Sequence, residues 1–224
     1  MSILSDDKLK ARQAILIGDY GEDAPYHPLD QVENHIRDLM PAGWELHTSD
    51  DYDMLEMERL EAYDLCIVYT DAFNKKINPR HAAGIITYVV NGGGLLILHC
   101  GVSLQETRYE LKQLMGAQYG GHEEYGALEM HIASPGHPIM KGIHSFVMEE
   151  EPYEFTLLPG AERTILMEYT MNGDTWPAAW CSHYGMGRTV YLMPGHHAAS
   201  FDYPEYRKMI AQSICWVAGC DEEG

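Results

Sequence analysis

Positive charge is what this sequence has least of. Fifteen Lys and Arg residues against 34 Asp and Glu leave a formal charge of −19 over 224 residues. Such a surface repels phosphate backbones and anionic lipid surfaces, which argues against nucleic acid and membranes as partners. A neutral polyol or a cation meets no such barrier, so composition favours an uncharged ligand or a metal. Long apolar runs are also missing. The longest, such as Gly94-Leu95-Leu96-Ile97-Leu98, fall far short of the roughly 20 residues that a membrane span needs. Residues Met1 to Asp7 are polar and acidic with no apolar h-region, so no secretory signal is expected and a cytoplasmic location is. The five cysteines (Cys66, Cys100, Cys181, Cys215, Cys220) are odd in number and lack CxxC spacing. Cys66, Cys181 and Cys215 lie in apolar stretches and read as reduced, buried thiols rather than a disulfide framework. There is no internal repeat, no low-complexity tract and no Ser/Gly/Pro linker. One domain is expected over residues 13–219, with an N-terminal extension over 1–12 and an acidic tail over 220–224.

What is present is a run of short apolar segments alternating with helical periodicity. Ala14 to Gly18 reads as a first buried strand. Val32, Ile36, Leu39 and Met40 then recur at helical spacing until Pro41-Ala42-Gly43, and Trp44 to Thr48 reads as a second strand. Leu55 to Leu60 is a short helix, and Asp64 to Tyr69 a third strand. Pro79 opens a helix that puts Ala82, Ile85, Ile86, Val89 and Val90 on one face. Asn91-Gly92-Gly93-Gly94 stops it, and Leu95 to Leu98 forms a fourth strand ending at His99. Continuous apolar strands alternating with helices predict a parallel sheet covered on both faces. In the second half, Leu128 to Ala133, Arg163 to Tyr169, Ala178 to His183 and Thr189 to Met193 read as strands joined by short turns. Part of that half is therefore expected to be antiparallel, before a closing helix from Pro204 to Val217.

Ligands of open parallel sheets bind beyond the carboxyl ends of the strands. Those positions hold Asp19, Tyr69-Thr70-Asp71, His99-Cys100 and His196-His197, with Gly120-Gly121-His122 expected in a glycine-rich loop. His99 ends a buried strand and faces a helix expected to begin near Ser103. Its charged form would be disfavoured there, leaving a neutral imidazole to ligate or to accept a proton. The competing reading is a structural histidine bonded to a backbone carbonyl. An exposed nucleophile at a strand-to-helix elbow needs small residues two positions away on both sides. Cys100 has Leu98 and Val102 there, whereas His99 has Ile97 and Gly101, so Cys100 reads as an inert thiol. One carboxylate of Glu149-Glu150-Glu151 could point inward, since Val147 and Phe155 bracket the run at strand-like positions. His196, beside Gly195, is preferred over His197. His27, His35, His47, His81 and His144 read as surface residues, and His131, His137 and His183 stay undecided. Two or three neutral imidazoles with a carboxylate would suit zinc, manganese or nickel, although the ligands are dispersed along the chain, unlike an HExxH pair.

At these residues the chain resembles the ThuA-like (trehalose utilisation) family within the class I glutamine amidotransferase-like fold. The series that carries it runs from Gly92-Gly93-Gly94 through His99 to Leu114-Met115-Gly116-Ala117 and Gly121-His122. It continues through His137-Pro138-Ile139, Gly142-Ile143 and Glu150-Glu151-Pro152-Tyr153, then Pro177 to Trp180, Gly185 to Tyr191, Gly195-His196 and Trp216. The resemblance implies a flavodoxin-like three-layer α/β/α sandwich, with His99 standing where amidotransferases keep their nucleophilic cysteine. It also implies a link to trehalose and keto-sugar metabolism. Glu150 stands where an aspartate is expected, and Asp19-Tyr20-Gly21-Glu22 matches no family pattern.

Three functions follow as expectations. The first is an enzyme acting on a carbohydrate, with His99, Glu151 and His196 catalytic and Asp19, His122, Tyr153 and Trp180 contacting substrate. Here His99, His122 and His196 are the candidate ligands of a divalent metal. The second is a non-catalytic sugar-binding module built on aromatic platforms, drawn from the 15 tyrosines with Trp176 and Trp180. The third is a cysteine amidohydrolase with Cys100 as nucleophile. Apolar helix faces at the sheet edge could support a homodimer.

Overall fold

Eleven strands and five α-helices make up the computed structural model, which describes residues 11–72 and 75–220. The strands are β1 (Arg12–Gly18), β2 (Trp44–Ser49), β3 (Leu65–Tyr69), β4 (Gly94–Leu98), β5 (Ala117–His122), β6 (Gly126–Ile132), β7 (Phe146–Glu150), β8 (Tyr153–Leu157), β9 (Thr164–Met171), β10 (Asp174–Tyr184) and β11 (Gly187–Leu192). The helices are α1 (Glu33–Arg37), α2 (Met57–Leu60), α3 (Pro79–Val90), α4 (Tyr109–Met115) and α5 (Pro204–Val217).

Nine strands form one sheet in the order β2-β1-β3-β4-β11-β10-β9-β6-β7. The first five run parallel, a doubly wound 2-1-3-4-5 arrangement with β11 as the fifth strand. The remaining four are antiparallel. The chemistry of the segments explains the division. Every residue of β3 and β4 is buried, so helices must cover both faces. In β6 buried and exposed positions alternate, as in a strand with one wet face. Helices α3 and α5 both pack on β11. Helix α3 starts at an Asn78 capping box with Pro79 in its first turn, and the chain leaves it through Gly92 at φ +110°.

Several local expectations change. The segment after His99 is a 3-10 turn over His99–Gln105, and the next α-helix begins at Tyr109 rather than near Ser103. The apolar spacing of Val32, Ile36 and Leu39 spans only the five-residue α1 with flanking turns, and the Leu55–Leu60 stretch splits into a 3-10 turn and α2. Gly120-Gly121-His122 is not a loop. It ends β5, which pairs with β8 in a separate two-stranded ribbon. The acidic run ends a strand: Glu149 and Glu150 close β7, and only Glu151 lies between β7 and β8. The sheet begins at Arg12, and most of the expected extension and tail lies outside the described residues. Cys66, Cys100 and Cys181 are buried, as expected of inert thiols, whereas Cys215, also expected to be buried, is only half-buried. Among the described residues, no helix is long and apolar enough to cross a membrane.

Candidate functional site

The carboxyl ends of β1, β3, β4 and β11 surround a cavity of about 450 Å³ lined by Tyr26, His27, Asp71, Tyr119, His122, Glu151, Tyr153 and His196. This is the rim where the parallel topology predicts a ligand.

His99 follows the last residue of β4 with φ +38°, in the left-handed region that a non-glycine residue rarely occupies. Two glycines make room for this elbow. A Cβ on Gly101 would meet the Val68 carbonyl oxygen at 2.6 Å, and one on Gly195 would meet His99 Cβ at 3.0 Å. The His99 ring is fully buried, and its Nδ1 donates to the Met193 carbonyl at 2.7 Å, because a carbonyl only accepts. With the hydrogen on Nδ1, Nε2 is left to face the Tyr153 hydroxyl at 2.9 Å.

His196 reaches the same point from the loop after β11. Glu150, fully buried, fixes that loop by accepting from Gly195 N at 2.7 Å, His196 N at 3.2 Å and Ser200 Oγ at 2.7 Å. Its neighbour Glu151 lies between β7 and β8 and faces inward. One Glu151 oxygen is 3.0 Å from His196 Nδ1 and 3.3 Å from His99 Nε2. Burial would push the Glu151 carboxyl up, but the neighbouring His196 and His99 side chains outweigh it and hold the group below the usual carboxylate range.

The main correction concerns His27, read from sequence as a surface residue. It is buried at the centre of the cluster, with Nε2 3.0 Å from His196 Nδ1 and 3.2 Å from His99 Nε2. Its Nδ1 lies 3.2 Å from Asp71 Oδ2, a carboxylate that accepts its hydrogen. Burial lowers the His27 pKa, and the bond to Asp71 opposes that only in part. The position follows from local folding: Leu29 N donates to the Asp19 carbonyl at 2.8 Å, folding the Tyr26-His27-Pro28 loop back over the end of β1. His81 is likewise buried rather than exposed, but it serves the α3 capping box and pairs with Asp53 at 3.0 Å, away from this cavity.

The other sequence candidates divide. Glu151, His196, His122 and Tyr153 line the cavity, and His99 underlies it. His122 stands at the rim, with 42% of its side chain exposed, Nδ1 2.9 Å from the Glu123 carbonyl and 3.8 Å from Glu151. Asp19 does not reach the cavity. It is buried beneath Asp71, accepting from Asp71 N at 3.0 Å and Tyr52 Oη at 2.5 Å, so it acts on the site only through Asp71. Trp180 is a core residue, 2% exposed, whose indole donates to the Met115 carbonyl at 2.8 Å and packs on Tyr191. It is not part of the cavity wall. Cys100 is fully buried, and burial pushes its thiol well above the ordinary range.

A flavodoxin-like sheet carrying a histidine elbow and a histidine–carboxylate cluster at its ligand rim defines the class of protein. A family model described as trehalose utilisation (ThuA) matches residues 21–217, and the chain belongs to the ThuA family. Among solved structures, a ThuA-like protein of Bacteroides uniformis ATCC 8492 is 19% identical with a TM-score of 0.77, over 94% of this chain and 92% of its own. One of Parabacteroides merdae ATCC 43184 is 15% identical with a TM-score of 0.78, over 93% and 90%. A Salmonella typhimurium LT2 protein described as cytoplasmic is 14% identical with a TM-score of 0.67, over 92% and 99%. No curated protein matches the sequence.

Proposed function

We propose that this chain is a cytoplasmic enzyme of the trehalose-utilisation type, acting on a disaccharide or keto-sugar in the cavity above His99. The observation that carries this reading is the hydroxyl of Tyr153, which lines the cavity while bonded at 2.9 Å to the buried His99. A phenol held between a basic nitrogen and an open cavity is placed to pass a proton to or from a bound ligand atom.

The rest of the cavity suits a neutral polyhydroxylated molecule. Its volume falls in the range of small-molecule sites, about 300–1,000 Å³. Tyr26 and Tyr119 offer flat aromatic faces for sugar C–H groups, and Asp71, His122 and Glu151 offer hydrogen-bonding atoms for hydroxyls. The net charge of −19 does not oppose approach of an uncharged sugar. Glu151 and His196 orient the ligand from the floor, and His122 contributes from the rim.

The test is a panel of trehalose, related disaccharides and their keto derivatives, followed by NMR, with the wild-type protein and Tyr153→Phe. Turnover of one member, reduced by about 10²-fold or more in Tyr153→Phe, supports the reading. Saturable binding of a disaccharide without turnover would assign a binding module instead.

A further inference from the structure

We infer that His27 Nε2, His99 Nε2, His196 Nδ1 and one carboxylate oxygen of Glu151 form a binding site for one first-row divalent cation of the zinc, manganese or nickel type. The inference rests on the reading that this cavity is the active site, and it replaces His122, the ligand expected from sequence, with His27.

Spacing is the first argument. The four donor atoms all lie within 4.8 Å of one another. Five of the separations are 3.0 Å (His27 to His196), 3.2 Å (His27 to His99), 3.3 Å (His99 to Glu151), 3.0 Å (His196 to Glu151) and 4.0 Å (His27 to Glu151). A tetrahedron with metal–ligand bonds of about 2.0–2.2 Å has edges of about 3.3–3.6 Å. Four of these separations lie within about 0.3 Å of that edge range, and the fifth, His27 to Glu151, exceeds it by about 0.4 Å.

The second argument is the placement of hydrogens. His27 Nδ1 faces the Asp71 carboxylate and His99 Nδ1 faces the Met193 carbonyl, both acceptors, so each Nδ1 carries the hydrogen. In neutral rings the two Nε2 lone pairs then face each other at 3.2 Å, with a carboxylate oxygen 3.3 Å from one of them. Each hydrogen joins only one pair of these four donors, whereas a metal ion would be shared by all of them. Orientation of a ligating imidazole through a carboxylate or carbonyl on its other nitrogen is the usual outer support of metal sites. When bound, such an ion supplies Lewis acidity toward a sugar carbonyl or hydroxyl. With His99 Nε2 a ligand, it would no longer accept from Tyr153, whose hydroxyl would turn to the bound sugar, so the His99–Tyr153 bond belongs to the metal-free protein.

A second group with similar spacing, Asp53, Glu56 and His81, makes a useful contrast. His81 is committed to the Asn78 cap, and Glu56 pairs with Arg80 at 2.9 Å. Its donors are committed to the cap and to Arg80, whereas at the cavity floor the Nε2 atoms of His27 and His99 face each other at 3.2 Å.

The experiment is elemental analysis of the purified protein, followed by chelation and titration calorimetry with Zn²⁺, Mn²⁺ and Ni²⁺ salts alone. One equivalent of at least one ion is expected per chain. Asp71→Asn should weaken binding about 10- to 100-fold, and His27→Gln and Glu151→Gln by more, with circular dichroism confirming that each variant is folded. His122→Gln should bind as the wild type does. Absence of binding for all three ions, or unchanged affinity in both His27→Gln and Glu151→Gln, overturns the inference. So does an equal loss in His122→Gln. Metal binding without sugar turnover would leave this site standing and remove the proposed activity, and turnover in a protein that binds none of the three ions would do the reverse.

Discussion

Glu150 and His196 are held together without a side-chain contact to the imidazole: the carboxylate of one grips the backbone nitrogen of the other at 3.2 Å. Glu150 takes three further donors, from Glu151 N, Gly195 N and Ser200 Oγ, so both of its oxygens are in use. Glu150→Gln keeps the shape but turns an amide NH₂ toward groups that themselves donate. It should cost about 1–3 kcal/mol in urea denaturation and loosen the His196 loop. Full stability in this variant would show that the carboxylate does not organise the loop.

Gly195 sits at φ +139°, a conformation that alanine adopts only with strain. The added methyl would also press on His99 Cβ, at 3.0 Å. Gly195→Ala should therefore lose about 1–3 kcal/mol of stability and lower turnover together, measured by thermal melting and the sugar assay. A variant as stable and active as wild type would show that the elbow has slack.

Cys100 should resist alkylation in the native protein, because it is fully buried and its thiol is held well above its ordinary range. Cys100→Ala should keep sugar turnover while losing about 1–2 kcal/mol of packing energy. Stoichiometric labelling of native Cys100 that abolishes turnover would restore the nucleophile reading.

Alkaline pH should destabilise the fold. Burial pushes the Cys66 thiol from 9.0 up to about 12. Between those values the unfolded thiol ionises and the folded one does not, so the unfolded state binds fewer protons and stability falls as pH rises. The contribution is at most on the order of 4 kcal/mol, fully present below pH 9 and lost toward pH 12. Cys66→Ala should flatten the decline seen in chemical denaturation across that window. An unchanged slope would assign the decline to the buried tyrosines.

Much of this site was legible because parallel strands announce their own ends. His99 and His196 could be placed at one rim from apolar runs that stop at a histidine, and Glu151 from a carboxylate between two strand-like positions. His27 could not, because periodicity says nothing about a polar loop. What seats it is a backbone bond from Leu29 to Asp19 and the Asp71 carboxylate across the sheet. The available signal was a His-Pro pair shortly after the first strand, on the same rim as Asp71. Trp180 misled for the opposite reason. An aromatic residue in a strand fits a sugar platform and a core equally well, and only the partner of its indole nitrogen distinguishes them. Strands β7 and β8 showed only as the strand-like positions Val147 and Phe155, because Glu149 and Glu150 put charge at the end of β7 and hide its alternation.

The ribbon of β5 and β8 carries Tyr119, His122 and Tyr153 and shares no backbone ladder with the nine-stranded sheet, which holds it instead through the Tyr169 hydroxyl, donated to the Tyr153 carbonyl at 2.9 Å. The histidine floor and the wall above it therefore answer to different parts of the architecture. Substitutions at Tyr119 and His122 can redraw which sugar is admitted while the imidazoles beneath keep their positions, whereas Tyr153, bonded to His99, ties the far strand of the ribbon to reactivity.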